Sequence, residues 1–367
     1  PTETQRKILL KWMDIYVRMY NETLRVIKKE VYDGRKMRID FRNVRTNYMF
    51  ERKEMLYNIS GIQPNEKNTR INKHILDHAI RDVCTAYKSA MKNLKMKNIK
   101  HFRIRYIKQT KPQQILKIEK ILFTREGSSF CGSVLGDHME TVGDDDFSEI
   151  DSDCILIYNS LNDTFTMLVP IVLTKEAHKE AKYDAISLDP GIRTFMTGYS
   201  EGHVLDIGTN LYGTIKKELR EIDRINKSDL PEKKRRKAEN KRYYRINNLV
   251  DDLHWKTISR LVTKYQTILI GNMSTNKIGR NTGSNRLCKM VKRVASMMRL
   301  YVFNERLKYK CSIKKREYGK IDERYTSKIC TFCGNVKADL GSNEVYECET
   351  CKKTIGRDVN GARNIYM

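Results

Sequence analysis

The first hundred residues read as helix. Between positions 5 and 30, Leu9, Trp12, Tyr16, Tyr20, Leu24 and Ile27 recur every three or four places, which puts them on one face of an α-helix. Lys and Arg fill much of the rest. Lys73 to Lys95 repeats the pattern with Leu76, Ile80, Val83, Tyr87, Met91 and Leu94, again one apolar stripe. At His101 the period drops to two. Phe102, Ile104 and Tyr106 alternate with Arg103 and Arg105, which predicts a strand with a basic outer face. Ile115 to Phe123 predicts another strand. Cys154–Tyr158 and Thr164–Leu173 predict a hairpin around the turn Asn159 to Asp163. Before that hairpin, the acidic run from Asp144 to Asp153 reads as a solvated loop.

A new unit begins at Ala185. Ala185 to Leu188 predicts a short strand ending at Asp189, and Thr194–Tyr199 and His203–Ile207 predict two more. Three consecutive strands with an acid closing the first is how an RNase H-like sheet begins. The competing reading of Asp189-Pro190-Gly191 is a plain turn. A charged helical region follows from about Lys216 to Lys264. Thr267 to Ile270 reads as a buried strand, and Leu287 to Leu307 as a helix with Leu287, Val291, Val294, Met298 and Tyr301 on its apolar side. The pattern divides the chain into a helical part (1–97), a small β part (98–180) and an α/β part (181–367), a multidomain α+β architecture.

Composition narrows the partner. The 367 residues hold 71 Lys+Arg against 45 Asp+Glu, a net charge of +26. That excess points to a polyanion, nucleic acid before an anionic membrane surface. No run of about 18 apolar residues occurs, so no membrane span is expected. Nor is there a signal peptide, and a first residue Pro1 without methionine reads as a missing N-terminal piece. The densest charge is Lys233, Lys234, Arg235, Arg236 and Lys237, followed by Lys241, Arg242 and Arg245 around Tyr243 and Tyr244. Cations interleaved with tyrosines suit phosphate contacts and base stacking. The competing reading is a solvated helix face, and Lys233–Lys237 also has the form of a nuclear localisation signal.

Of the nine cysteines, four form two C-x-x-C pairs, Cys330/Cys333 and Cys348/Cys351. Two such knuckles can wrap four thiolates around one zinc ion in a closed structural site, a zinc ribbon at about 326–356. Four thiolates leave no open position for water, so the zinc is not catalytic. The other five cysteines are scattered, which suits a reducing, intracellular setting.

The order of motifs carries a family resemblance. An apolar strand ends in Asp189-Pro190-Gly191. Then come the strand at Ile268–Ile270, Tyr325-Thr326-Ser327, the two C-x-x-C pairs, and Arg357-Asp358-Val359-Asn360-Gly361-Ala362-Arg363-Asn364-Ile365. This resembles the TnpB proteins of bacterial transposons and, more closely, their eukaryotic and viral relatives called Fanzor. Thr2-Glu3-Thr4-Gln5, Tyr20-Asn21 and Ala79 to Lys92 extend the likeness over nearly the whole chain. The resemblance implies a helical recognition domain (1–97), a wedge-like β domain (98–180) and a RuvC nuclease domain (181–367) with an inserted zinc ribbon. It further implies a guide RNA, a target double-stranded DNA and two-metal Mg²⁺-dependent cutting; the oligomeric state is left open, a monomeric complex with the RNA being expected before an oligomer. A eukaryotic or viral member would work in the nucleus or a viral factory, a bacterial one in the cytoplasm.

RuvC chemistry needs three acids. Asp189 matches the first and Asp358 the last. The middle acid should follow Ile270, where the family usually carries Glu; here stands Gly271-Asn272-Met273. Some members move that Glu to just before the Thr-Ser preceding the ribbon, where this chain has Glu323. Asp322 and Glu305 are weaker substitutes. The expected set is therefore Asp189, Glu323 and Asp358. The alternatives are a cleavage-dead guided DNA binder and a transposon accessory DNA-binding protein without RNA.

Overall fold

Thr2 starts the first helix with a capping box. Its hydroxyl accepts from the Gln5 N–H, and the Gln5 side chain accepts from the Thr2 N–H, so two donors of the helix start are satisfied. The computed structural model describes residues 1–33, 37–49, 71–124, 129–136, 138–142, 150–172, 180–273, 287–337 and 343–367. Two compact units emerge, Pro1–Val172 and Leu173–Met367.

In the first unit, α1 (Glu3–Tyr32), α2 (Phe41–Asn47) and α3 (Lys73–Lys95) pack with a three-stranded antiparallel sheet. Its strands are β1 (Gln113–Ile118), β2 (Cys154–Asn159) and β3 (Thr164–Leu168), and a one-turn helix α4 (Gly132–Leu135) lies between β1 and β2. Leu9, Trp12, Tyr16, Leu24 and Ile27 are buried as their period predicts. They share one core with Leu76, Ile80 and Val83 of α3 and with Leu116 and Leu156 of the sheet. The α3 stripe stops short, however: Met91 and Leu94 are exposed. The hairpin turns where the sequence put it. Asp163 takes a left-handed φ of 56° there, a conformation Asp tolerates. Of the acidic run, 143–149 lies outside the described residues; Asp151 pairs with Lys120, whose N–H donates to Asp153.

One expected strand is absent. Phe102–Tyr106 joins no sheet. Just beyond it, the Ile107 N–H donates to the Asn21 side chain, whose amide returns a bond to the Ile107 carbonyl at 2.9 Å. Phe102 meets Tyr87 edge-on, and Lys28 sits over Tyr106. The segment packs along α1 and α3 instead of pairing with a strand.

The second unit is a five-stranded mixed sheet of order β6-β5-β4-β7-β8. Its strands are β4 (Tyr183–Pro190), β5 (Met196–Ser200), β6 (His203–Ile207), β7 (Tyr265–Gly271) and β8 (Glu317–Ile321). β4, β7 and β8 run parallel, while β5 and β6 are antiparallel. The long helical region is two helices, α5 (Leu211–Asn226) and α6 (Glu232–Lys264), broken before Pro231, the N-cap of α6. The helix expected over Leu287–Leu307 is also two, α7 (Lys289–Met297) and α8 (Leu300–Lys314). Arg299 breaks it with a left-handed φ of 49°, held by an ion pair to Asp251. The ribbon contributes β9 (Val345–Glu347) and β10 (Thr354–Gly356), and α9 (Arg357–Tyr366) closes the chain. No described helix is long and apolar enough to cross a membrane.

Candidate active site

Strand alternation decides which side chains meet. In β4, Ile186 and Leu188 point into the core that contains Ile268, Ile270 and Phe303. Ser187 and Asp189 must therefore face the other way, and the Ser187 hydroxyl donates to the Ala362 carbonyl of α9 at 2.6 Å. The same logic turns Gly271 of β7 away from the core. β4 and β7 pair Leu188 with Ile270, so the next residue of each strand, Asp189 and Gly271, lie side by side on the α9 face.

Glu323 reaches that spot from β8. Gly271 pairs with Ile321, and Glu323 comes two residues later. Its Oε1 accepts from the Met273 N–H at 2.9 Å. A β-carbon on Gly271 would lie 2.7 Å from Glu323 Cγ. The Glu323 side chain fills the space that a side chain at 271 would need. Asp358 stands in the first turn of α9, where the helix dipole favours an acid. A second glycine makes room on that helix: a β-carbon on Gly361 would lie 3.2 Å from Asp189 Cγ and closer still to its Oδ2.

The electrostatics agree with the geometry. Burial pushes the Asp189 carboxyl up to about 8, with further upward pushes from Glu323 and Asp358 and a weaker opposing pull from Arg357. Burial also raises Glu323, opposed by the Met273 N–H. The two substitutes do not join them. Asp322 is exposed and accepts from the Arg324 N–H, and Glu305 is exposed on α8.

The four sequence-predicted thiols converge. Cys330, Cys333, Cys348 and Cys351 all lie within 4.8 Å of one another, the only such His/Cys/Asp/Glu group among the described residues. Cys330 Sγ is 3.7 Å from Cys351 Sγ, and Cys333 Sγ is 3.5 Å from Cys348 Sγ. Tetrahedral zinc with bonds near 2.3 Å needs sulfurs about 3.8 Å apart. The Cys351 N–H aimed at Cys348 draws that thiol down to about 6, which favours the thiolate a metal requires. The four-cysteine cluster is built for a structural metal of the zinc type.

The basic run divides. Lys233, Lys234, Arg236 and Lys241 are exposed on α6. Arg236 pairs with Glu232 of its own helix, while Arg242 and Arg245 both pair with the buried Glu218 of α5. Lys241, Arg242, Tyr244 and Arg245 line one shallow groove with Ile225; Arg235 is half-buried beside the run.

A mixed sheet with an acid closing its first strand, and a four-cysteine ribbon before a final helix, defines an RNase H-like α/β unit of the RuvC type. The whole chain aligns at 31% identity with a TnpB-like protein of Acanthamoeba polyphaga mimivirus, covering 100% of this chain and 71% of that relative. The chain belongs to the TnpB-like family. The family model described as "Cas12f1-like, TNB domain" matches residues 301–365, the stretch with α8, the ribbon and α9. A "Putative RNA-guided DNA endonuclease" of Streptomyces pristinaespiralis is 30% identical over 151 residues, covering 41% of this chain and 36% of that protein. The fold is similar to that of the protein in a Cas12f1–sgRNA–target DNA complex, with a TM-score of 0.53 at 13% identity over 100% of this chain and 83% of that one.

Proposed function

We propose that the chain is an RNA-guided DNA endonuclease, with Asp189, Glu323 and Asp358 as its catalytic acids. The observation that carries this reading is the exchange of space between Gly271 and Glu323. The strand position beside Asp189 has lost its side chain, and a carboxylate from β8 occupies the gap. A chain with no use for a third acid has no reason to keep one there.

The donor set fits Mg²⁺, a hard cation that takes carboxylate oxygens. Three acids share one face, and burial first, then the neighbouring Glu323 and Asp358, hold the proton on Asp189 up to about 8, a cost that a bound cation would relieve. Two Mg²⁺ ions held by these acids would supply an activated water and stabilisation of the leaving oxygen. The protein's own part is placement. β4 presents Asp189, the Met273 N–H orients Glu323, and Gly361 leaves room for Asp189 beneath α9.

The remainder of the chain would hold nucleic acid. Residues 1–97 serve as the recognition part and 98–180 as the wedge-like part, sharing one core. These parts, and separately α6, would contact guide RNA and the guide–target duplex through backbone charge, and base pairing reads the sequence. Another RNA-guided family works on that logic. The site of action is wherever the target DNA lies, the nucleus or viral factory for a viral or eukaryotic host.

The test starts from cells carrying the chain with its own flanking DNA. RNA that copurifies is sequenced, and duplex DNA matching its variable tail is offered with Mg²⁺. The expected result is a discrete RNA, cutting by the parent, and binding without cutting by Glu323→Ala. Equal cutting by that variant overturns the assignment of the middle acid. Absence of a discrete RNA returns the chain to an accessory DNA-binding role.

A further inference from the structure

Glu323 and Asp358 sit on different segments, separated in sequence by the whole ribbon. Something must fix one against the other. Asn360, two residues after Asp358, has no exposed surface. Its Oδ1 accepts from the Thr331 N–H at 3.1 Å, and its amide donates to the Ile329 carbonyl at 2.7 Å. One helical turn on, the Asn364 amide donates to the Thr326 carbonyl at 2.6 Å and to the Ile329 carbonyl at 2.8 Å. Thr326 in turn donates to the Glu323 carbonyl through both its N–H, at 3.2 Å, and its hydroxyl, at 3.0 Å.

These bonds close a circuit. Ser187 ties β4 to α9, and the two asparagines tie α9 to the turn after Glu323. The Glu323 carboxylate is tied to the end of β7, and β7 is laddered to β4. The chemistry of the asparagines is specific to the task. Two carbonyls converge on each amide, so a donor is required and a carboxylate would repel. The Tyr325 backbone has a left-handed φ of 64°, so the turn does not follow a regular element that could fix it alone.

We propose that Asn364, with Asn360 behind it, is a positioning residue for DNA cleavage. It fixes the main chain of Glu323 at the distance from Asp358 that shared divalent ions require. This rests on the nuclease reading above. It assigns no contact with substrate to either asparagine. Displacement of such a support by a fraction of an ångström loosens a site without unfolding the protein.

The test uses the RNA-bound full chain carrying Asn364→Asp, which keeps the volume and removes the donor, and Asn364→Gln, which keeps an amide. Asn360→Asp is avoided because a charge at a fully buried position threatens the fold. Three readouts are taken: ribbon zinc content, Mn²⁺ affinity by electron paramagnetic resonance, and single-turnover cutting. Expected for Asn364→Asp are parental zinc and target binding, Mn²⁺ affinity weaker by about 10-fold, and cutting slower by about 10²-fold. Partial recovery is expected with Asn364→Gln. Parental Mn²⁺ affinity and cutting in Asn364→Asp overturn the proposal, as does loss of ribbon zinc in step with cutting. A parent that binds no Mn²⁺ and does not cut refutes the nuclease reading itself, a distinct result.

Discussion

A β-carbon on Gly271 would lie 2.8 Å from the carboxyl carbon of Glu323. The two positions compete for one space, which sets a first prediction. Gly271→Ala pushes the Glu323 carboxylate off the Met273 N–H. Guide and target binding should persist, while cutting falls by about 10²-fold, the usual cost of a misplaced catalytic group. Gly271→Glu placed in the Glu323→Ala background should recover part of the cutting, because 271 and Asp189 are neighbours on one sheet face. Single-turnover cleavage at saturating Mg²⁺ measures both. Parental cutting by Gly271→Ala would show that the two side chains do not compete.

The raised Asp189 carboxyl makes the metal-free fold sensitive to base. An unfolded Asp releases its proton near pH 4, whereas the folded chain keeps it up to about 8. The folded state thus binds the extra proton between those values. Its contribution to stability is fully present below about pH 4 and is lost as pH rises through about 8. In Mg²⁺-free buffer that leaves the ribbon zinc in place, the melting temperature of the parent should fall more steeply between pH 6 and 8.5 than that of Asp189→Asn. Added Mg²⁺ should restore most of the loss at the alkaline end. Identical slopes for the two proteins without Mg²⁺ would contradict the shift.

The ribbon predicts about one zinc per chain by elemental analysis. Among the described residues, its core buries only Cys330, Tyr346 and Cys348 outright, too little to fold without the metal bonds. Cys330→Ser should lose the zinc and expose the 326–356 stretch to protease, leaving the Pro1–Val172 unit resistant. A zinc-free parent with an intact ribbon would refute this.

Much of this was legible in residue patterns. The stripes of α1 and α3, the hairpin at Asp163, the acid ending β4 and the thiol spacing all follow from local periodicity or ligand geometry. What failed was partnership. Nothing in Phe102–Tyr106 announces that a lone asparagine, Asn21, will take the place of a neighbouring strand nearby. Arg299 breaks a helix with no proline or glycine to mark it; its ion pair to Asp251 is a tertiary contact. Glu323 is legible only because Gly271 stands where an acid is expected. Asn364 carries no signal beyond its place in a motif, since its role lies in two carbonyls supplied by a distant turn.

The basic residues of α6 separate by the same criterion, and this gives a last prediction. Arg242 and Arg245 flank Glu218, which is only 4% exposed. Removing both leaves a buried carboxylate without its partners, which costs about 2 kcal/mol or more. Arg242→Ala with Arg245→Ala should therefore lower the melting temperature by several degrees, before any effect on nucleic acid is considered. Lys233 and Lys234 are exposed. Their replacement by alanine should leave melting unchanged and weaken RNA binding evenly across sequences. The slope of log affinity against log salt should fall by about 1 for each phosphate no longer neutralised. A drop in melting temperature for Lys233→Ala, or an unchanged salt slope for both lysine variants, would assign the charge of this helix to the fold rather than to its partner.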